Sequence, residues 1–294
     1  MDDNKTFRDN RKPIRRHVDP YKVREDGAHA DSDDGFGGVI EGKNAVIEAL
    51  RAETPIDKVF IARGERDSAL AHIASRARER GVVVVEADRR KLDSMSVTHS
   101  HQGVVAVAAI RPYAEIEDIF DAAAKKGEEP FIVVCDEVSD PHNLGAIIRT
   151  AEAAGAHGVI IPKRRSAGLT AVVAKTSAGA ALHIPIVRVP NISACLKELK
   201  NRGVWVYGTS ATGESVMWDV DLSGSAAIVV GSEGEGIGRL VGENCDVMVK
   251  IPMSGKVASL NASVSAAIVI YEAVRQRGAG AYRPAEKDGL NNRE

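Results

Sequence analysis

Short apolar runs alternate with segments of helical spacing over most of this chain, and that alternation carries the first prediction. From residue 131 onward, apolar runs at 131–135, 158–161, 184–189, 204–208, 226–231 and 246–251 read as strands. Between them, 143–154, 169–178, 192–202, 237–243 and 259–277 place apolar residues at helical intervals. Such alternation predicts an α/β fold, a parallel sheet with helices on both faces, over residues 131–280. Upstream, 37–111 predicts a smaller α/β unit. It holds a helix near Asn44–Leu50, strands at 58–62, 82–85 and 104–109, and a charged helix over 65–80. A helix over 115–126, stopped by Gly127, predicts a structured linker within 112–130. Residues 1–36 lack periodicity, and Lys5, Arg8, Arg11, Lys12, Arg15, Arg16, Lys22 and Arg24 face only Asp9 and Asp19 in that stretch, before an acidic patch at Asp31, Asp33 and Asp34, so a disordered charged tail is expected there, and a C-terminal tail over 281–294.

Three polar, glycine-flanked segments interrupt the apolar pattern. They are Asp140-Pro141-His142-Asn143-Leu144-Gly145 leading to Arg149, Gly231-Ser232-Glu233-Gly234-Glu235-Gly236, and Ile251-Pro252-Met253-Ser254-Gly255 leading to Ser259-Leu260-Asn261. Each follows an apolar strand. Loops at the C-terminal ends of parallel strands are where open α/β sheets bind ligands, so the three predict one composite site assembled from distant sequence.

Within the first segment, Leu144, Ile147, Ile148 and Ala151 mark a buried helix face. At 100° per residue Arg149 turns away from it, towards solvent, a partner or a substrate. Asn143 taken alone is an ordinary helix N-cap. Ser259 is explained by a capped helix; Asn261 is not, and that motivates a ligand-binding role. The sequence Gly234-Glu235-Gly236-Ile237-Gly238 superficially matches a nucleotide loop. Too little chain follows it for a Rossmann sheet, and neither G-x-G-x-x-G nor a P-loop is present.

Composition narrows the field. The 294 residues allow two domains, and 44% hydrophobic with 27% charged residues is ordinary for a globular protein. Aromatic residues at 4% are too few for stacked base platforms. A net charge of −2 leaves any nucleic-acid argument to local patches such as Lys163-Arg164-Arg165, which either sits in solvent or contacts phosphates. Cys135, Cys195 and Cys245 have no disulfide or zinc spacing, which suits a reducing cytoplasm. No apolar stretch reaches membrane-span length. His99-Ser100-His101 lacks a third ligand at sensible spacing, so no metal is expected.

Read together, the three segments resemble the motifs of the SpoU (TrmH) family of RNA ribose 2′-O-methyltransferases in the SPOUT superfamily. Asn143 with Arg149 six residues on, the Gly-Ser-Glu-Gly loop, and Ile-Pro-Met followed by Ser-Leu-Asn occur in order. Gly42-Lys43-Asn44-Ala45-Val46 and His101-Gln102-Gly103-Val104-Val105 are similar to the substrate-binding domain of the branch that methylates a guanosine ribose in large-subunit ribosomal RNA. The resemblance implies a C-terminal trefoil knot, a homodimer, S-adenosyl-L-methionine as cofactor and ribosomal RNA as partner. Carried onto this chain, it implies cofactor contacts from Thr209, Gly231, Ile251, Met253, Ser259 and Leu260. It implies catalytic roles for Arg149, Asn143, Glu233, Ser259 and Asn261, with Arg149 acting at the ribose. Gly231→Val is expected to block the cofactor by filling the space where backbone meets ligand. A tRNA-directed or antibiotic-resistance relative, and a non-catalytic RNA-binding protein of the same fold, are the rival expectations.

Overall fold

Apolar runs become strands where the pattern places them, and their order in the sheet brings the three polar segments together. The computed structural model describes residues 38–278 except 65, 66 and 258. The tails expected at 1–36 and 281–294 lie outside the described residues.

The N-terminal unit runs β1 (Val39–Glu41), α1 (Lys43–Arg51), β2 (Ile56–Ala62), α2 (Ser68–Glu79), β3 (Val83–Ala87), α3 (Arg89–Met95) and β4 (Val104–Ala108). Its strands pair in the order β1-β4-β2-β3, parallel only between β2 and β3. Asp67 starts α2 by accepting the N–H groups of Ala69 and Leu70. Val46, Leu50, Leu70 and Ile73 seal α1 and α2 to one sheet face, while Leu92 of α3 packs with Val105. Then α4 (Ile116–Lys126) ends at Gly127, whose φ of 67° gives the left-handed stop that the sequence predicts.

The second unit runs β5 (Phe131–Cys135), α5 (Pro141–Ala153), β6 (Gly158–Pro162), α6 (Ala171–Thr176), β7 (Ile186–Val189), α7 (Ile192–Asn201), β8 (Trp205–Thr209), β9 (Ser215–Val216), β10 (Ala226–Val230), α8 (Arg239–Gly242), β11 (Val247–Lys250) and α9 (Ala262–Arg277). Its sheet order among the described residues is β7-β6-β5-β10-β8-β11-β9, and every pair is parallel. The central strands Phe-Ile-Val-Val-Cys and Ala-Ala-Ile-Val-Val are buried at every position, as strands covered on both faces must be. Leu144, Ile148, Ala266 and Ile270 pack α5 and α9 on one side. Ile119, Leu196 and Leu199 pack α4 and α7 on the other.

The chain leaves β5 in one direction through β6 and β7, then returns to build β8, β10 and β11 on the other side. Segments after β8, β10 and β11 therefore emerge together beside the start of α5, at a topological switch point. Three helices are shorter than the pattern predicts. α6 stops at Thr176 and a 3₁₀ turn takes over at Ala180–Leu182, α8 is one turn, and α9 begins at Ala262, not 259. Among the described residues no helix is long and apolar enough to cross a membrane.

The helix carrying Asn143 and Arg149 is fixed by a close approach to α6. A Cβ on Gly145 would lie 1.9 Å from the Thr176 hydroxyl oxygen. Gly145→Ala is expected to destabilise the chain by about 1–3 kcal/mol through overpacking. Thr176→Ala in the same chain should recover part of that loss in a thermal melt; an unchanged melt for Gly145→Ala would contradict the packing described.

Candidate active site

The loop after β10 is built from its own backbone. Ser232 and Gly236 exchange N–H···O bonds of 3.0 and 3.1 Å, folding residues 232–236 into a tight return. Gly231 sits beneath it. A Cβ there would lie 2.0 Å from the Gly236 carbonyl carbon and 2.3 Å from the Ile237 nitrogen. The space above Gly231 is thus already filled by the loop. This corrects the reason given for Gly231→Val, whose side chain would displace the return itself before meeting any ligand.

A cavity of about 280 Å³ lies over this loop, near the lower end of small-molecule sites. Three segments wall it: Thr209–Ala211 after β8, Val230–Ile237 after β10, and Ile251, Met253, Ser259 and Leu260 between β11 and α9. All six residues expected at the cofactor line it, as does Glu233. Its walls mix the apolar Met248, Val249, Ile251 and Leu260 with the hydroxyls of Thr209, Ser210 and Ser259. Ser210, Ile237 and Ser265 also line it and were missed in the sequence. The polar Thr209-Ser210-Ala211-Thr212-Gly213 stretch after a strand was the available signal for Ser210.

One carboxylate joins all three motifs. Glu233 Oε1 accepts from Asn143 Nδ2 at 2.6 Å and from Asn261 Nδ2 at 2.5 Å, and Asn261 Nδ2 also lies 3.1 Å from Asn143 Oδ1. Asn261 Oδ1 meanwhile accepts the N–H groups of Ser263 and Val264 and so caps α9. Two readings change. Asn261, not Ser259, is the cap. Asn143 is not a cap at all: Asp140 opens α5 by accepting the His142 N–H, Pro141 follows, and Asn143 is buried in the first turn. Pro141 fits there because the first-turn N–H it lacks would have no partner.

Arg149 is exposed on α5, two turns beyond the buried Asn143 and outside the cavity wall, as its helical phase predicts. His142 is also exposed. Behind the glycine loop lies a carboxylate that sequence reasoning passed over. Asp136, buried at the end of β5, accepts the Gly238 N–H at 2.8 Å. Burial pushes its carboxyl above the ordinary range, with the Gly238 bond opposing that shift. Burial also pushes the thiols of Cys135, Cys195 and Cys245 up to about 12, so none is a ready nucleophile. His101 is buried, bonded to Asp93 and to the Gly103 N–H, and among the described residues no cluster of potential metal ligands forms. Arg164 and Arg165 of Lys163-Arg164-Arg165 are both exposed, and Arg165 pairs with Glu137 at 2.8 Å.

Comparison with known proteins agrees with this geometry. Residues 130–271 match the SpoU rRNA Methylase family, and residues 39–114 match the RNA 2′-O ribose methyltransferase substrate-binding domain. YacO of Bacillus subtilis, named as a TrmH family tRNA/rRNA methyltransferase, is 49% identical over 81% of this chain and 95% of its own length. A Mycobacterium avium protein named an uncharacterized tRNA/rRNA methyltransferase is 46% identical over 81% of this chain and 77% of its own. Among solved structures, the SpoU methyltransferase AviRb from Streptomyces viridochromogenes, in complex with AdoMet, is similar with a TM-score of 0.53 and 26% identity over 83% of this chain and 92% of that one. An AdoMet-bound rRNA methyltransferase from Sinorhizobium meliloti gives 0.51 and 26% over 82% and 87%. The chain belongs to the SpoU/TrmH family of RNA methyltransferases.

Asn261 carries two separable tasks. Asn261→Ala should lose both the cap and the bridge to Glu233, costing about 1–2 kcal/mol by urea denaturation. Asn261→Ser keeps a capping oxygen but cannot reach Glu233, so it should recover roughly half of that loss. Equal stability of Asn261→Ala and the parent would contradict the network.

Proposed function

We propose that this chain transfers a methyl group from S-adenosyl-L-methionine to a ribose 2′-hydroxyl, in a guanosine of large-subunit ribosomal RNA. The observation that carries the reading is the cavity walled by three loops and tied by one carboxylate to two asparagines. Its dimensions and mixed lining suit a nucleoside cofactor: apolar faces for the ring, hydroxyls and backbone groups for the polar edges. The match of residues 39–114 to a substrate-binding domain supports RNA as substrate, and the scarcity of aromatics favours folded RNA recognised by shape and backbone. Transfer RNA is the second reading, since the relatives in Bacillus and Mycobacterium are named for both.

When bound, S-adenosyl-L-methionine supplies an activated methyl group. The chain has to place the hydroxyl in line, manage its proton and exclude water. Asn143, Glu233 and Asn261 position the segments around the cavity, with Ser259 and Met253 on its wall. Arg149 brings a planar guanidinium whose fork of donors matches a phosphate. It clamps a substrate phosphate and lowers the hydroxyl's pKa by its charge, without taking the proton.

The reading extends to architecture. β10 lies between β5 and β8, and the segment after β11 passes the 231–237 loop to set α9 against α5, a path that suits a trefoil knot, one of the rare exceptions to unthreaded chains. α9 leaves Val264 and Tyr271 exposed on one helical face about two turns apart, with the half-buried Ile268 between them, and that stripe suits a homodimer contact. Three free thiols, with Cys135 and Cys195 buried, suit a reducing cytoplasm.

The test joins binding to chemistry. The full chain should bind S-adenosyl-L-methionine calorimetrically in the micromolar range, about 8 kcal/mol. Arg149→Ala should keep that affinity and the melting temperature, while single-turnover methylation of a ribosomal RNA fragment falls about 100-fold, near 3 kcal/mol. Arg149→Lys should restore part of the rate if charge is what matters; a rescue that appears only at alkaline pH would make Arg149 the proton acceptor. A near-parental rate for Arg149→Ala would overturn the assignment, and faster methylation of tRNA would move the substrate.

A further inference from the structure

The two units meet at a buried polar node that the methyl-transfer chemistry does not use. β2 pairs with β4 through a register shift between Ile56 and Lys58, and the irregularity falls on Asp57. Asp57 is 2% exposed, and its carboxylate points into the second unit. Arg188 on β7, 7% exposed, meets it with Nη1 2.9 Å from Oδ1 and donates from the same nitrogen to the Asp57 carbonyl at 2.9 Å. The Tyr113 hydroxyl donates to Asp57 Oδ1 at 2.7 Å and accepts the Leu169 N–H at 3.0 Å. The Arg188 guanidinium lies 5.0 Å from the centre of the Tyr113 ring. Close packing completes the node: a Cβ on Gly168 would fall 1.9 Å from Asp57 Oδ1.

Two bonds extend from this node to the basic loop after β6. Arg188 Nη2 donates to the Lys163 carbonyl at 3.0 Å, and Lys58 Nζ donates to the Ser166 carbonyl at 2.9 Å. Both ends of Lys163–Ser166 are therefore gripped while Arg164 stays exposed. The connection between the units is pinned as well, with Ile110 donating to the Leu169 carbonyl and Ala114 to that of Ile186, each at 2.9 Å.

A buried ion pair is a poor source of net stability, but it is demanding in geometry: its charges have no equally good partners in any other arrangement. We infer that the Asp57–Arg188–Tyr113 node locks the N-terminal unit in one orientation on the catalytic unit, making Asp57 a positioning residue that sets which RNA ribose reaches the site. The inference rests on the methyltransferase reading for its consequence, and on geometry alone for the lock.

Each half has its own readout. Spin labels on Arg78→Cys and Lys197→Cys, exposed positions on α2 and α7, should give one narrow distance distribution in the full chain mixed with an excess of unlabelled chain. Asp57→Asn should broaden it. Tyr113→Phe keeps the ion pair, and serves with a smaller broadening if Asp57→Asn fails to fold. In the same variants calorimetric affinity for S-adenosyl-L-methionine should stay unchanged. Meanwhile kcat/KM for the ribosomal RNA fragment should fall about 10- to 100-fold, with 2′-O-methylation spreading to neighbouring nucleotides. A distribution as narrow in the variants as in the parent overturns the lock. A broadened distribution with unchanged RNA kinetics and site choice overturns its positioning role. A parent that methylates no RNA overturns the proposed function, and the distance measurement still decides the lock.

Discussion

The bond set made by Glu233 with Asn143 and Asn261 is the constraint on which the site depends. Its members come from three segments, the first turn of α5, the loop after β10 and the start of α9, separated by 90 and 28 residues of sequence. A carboxylate taking two amide N–H groups on one oxygen is favourable only when both donors are held still. Charge-assisted bonds of this kind are roughly twice as strong as neutral ones. Each partner is fixed by something else. Asn143 is buried in α5, Asn261 caps α9, and Glu233 sits in a return closed by Ser232 and Gly236. The cavity floor is thereby set before any ligand arrives, which reduces the ordering that binding must bring about.

Much of this architecture was legible in the sequence because parallel strands buried on both faces leave continuous apolar runs. Phe131–Cys135 and Ala226–Val230 were placed to within a residue for that reason. The exposure of Arg149 followed from helical phase alone. What escaped was either short or tertiary. α3 has seven residues with one buried apolar anchor, Leu92, and β9 has two residues, so neither makes a readable period. The capping role of Asn261 was assigned to Ser259 because both are polar and precede the same apolar run; only backbone geometry separates them. Asp136 and Asp57 were invisible for a different reason. A single carboxylate beside a strand has no pattern, and its meaning lies entirely in the residue it meets across the fold.

Buried carboxylates recur as junction pieces in this chain. Asp136 ties β5 to the far end of the glycine loop, and Asp57 ties the N-terminal sheet to Arg188 on β7 and to Tyr113. Leaving either partner unpaired would be costly, because a buried charge or N–H retains its desolvation penalty when its bond is lost. Such groups specify where segments sit more than how strongly they hold. A site assembled from three distant loops, with a second unit beside it, requires that kind of specification.

The most direct measurement is a double-mutant cycle between Asn143 and Asn261, read by calorimetric affinity for S-adenosyl-L-methionine and checked by thermal denaturation. Asn143→Ala, Asn261→Ala and the double variant share one partner, Glu233. Once either asparagine is gone the loops are already released, so the second loss should cost less than it does alone. A coupling of about 1 kcal/mol or more is expected, within the range for residues in one hydrogen-bond network. Strict additivity of the two losses, or full cofactor affinity in the double variant, would mean that the three loops are held by something other than the Glu233 carboxylate.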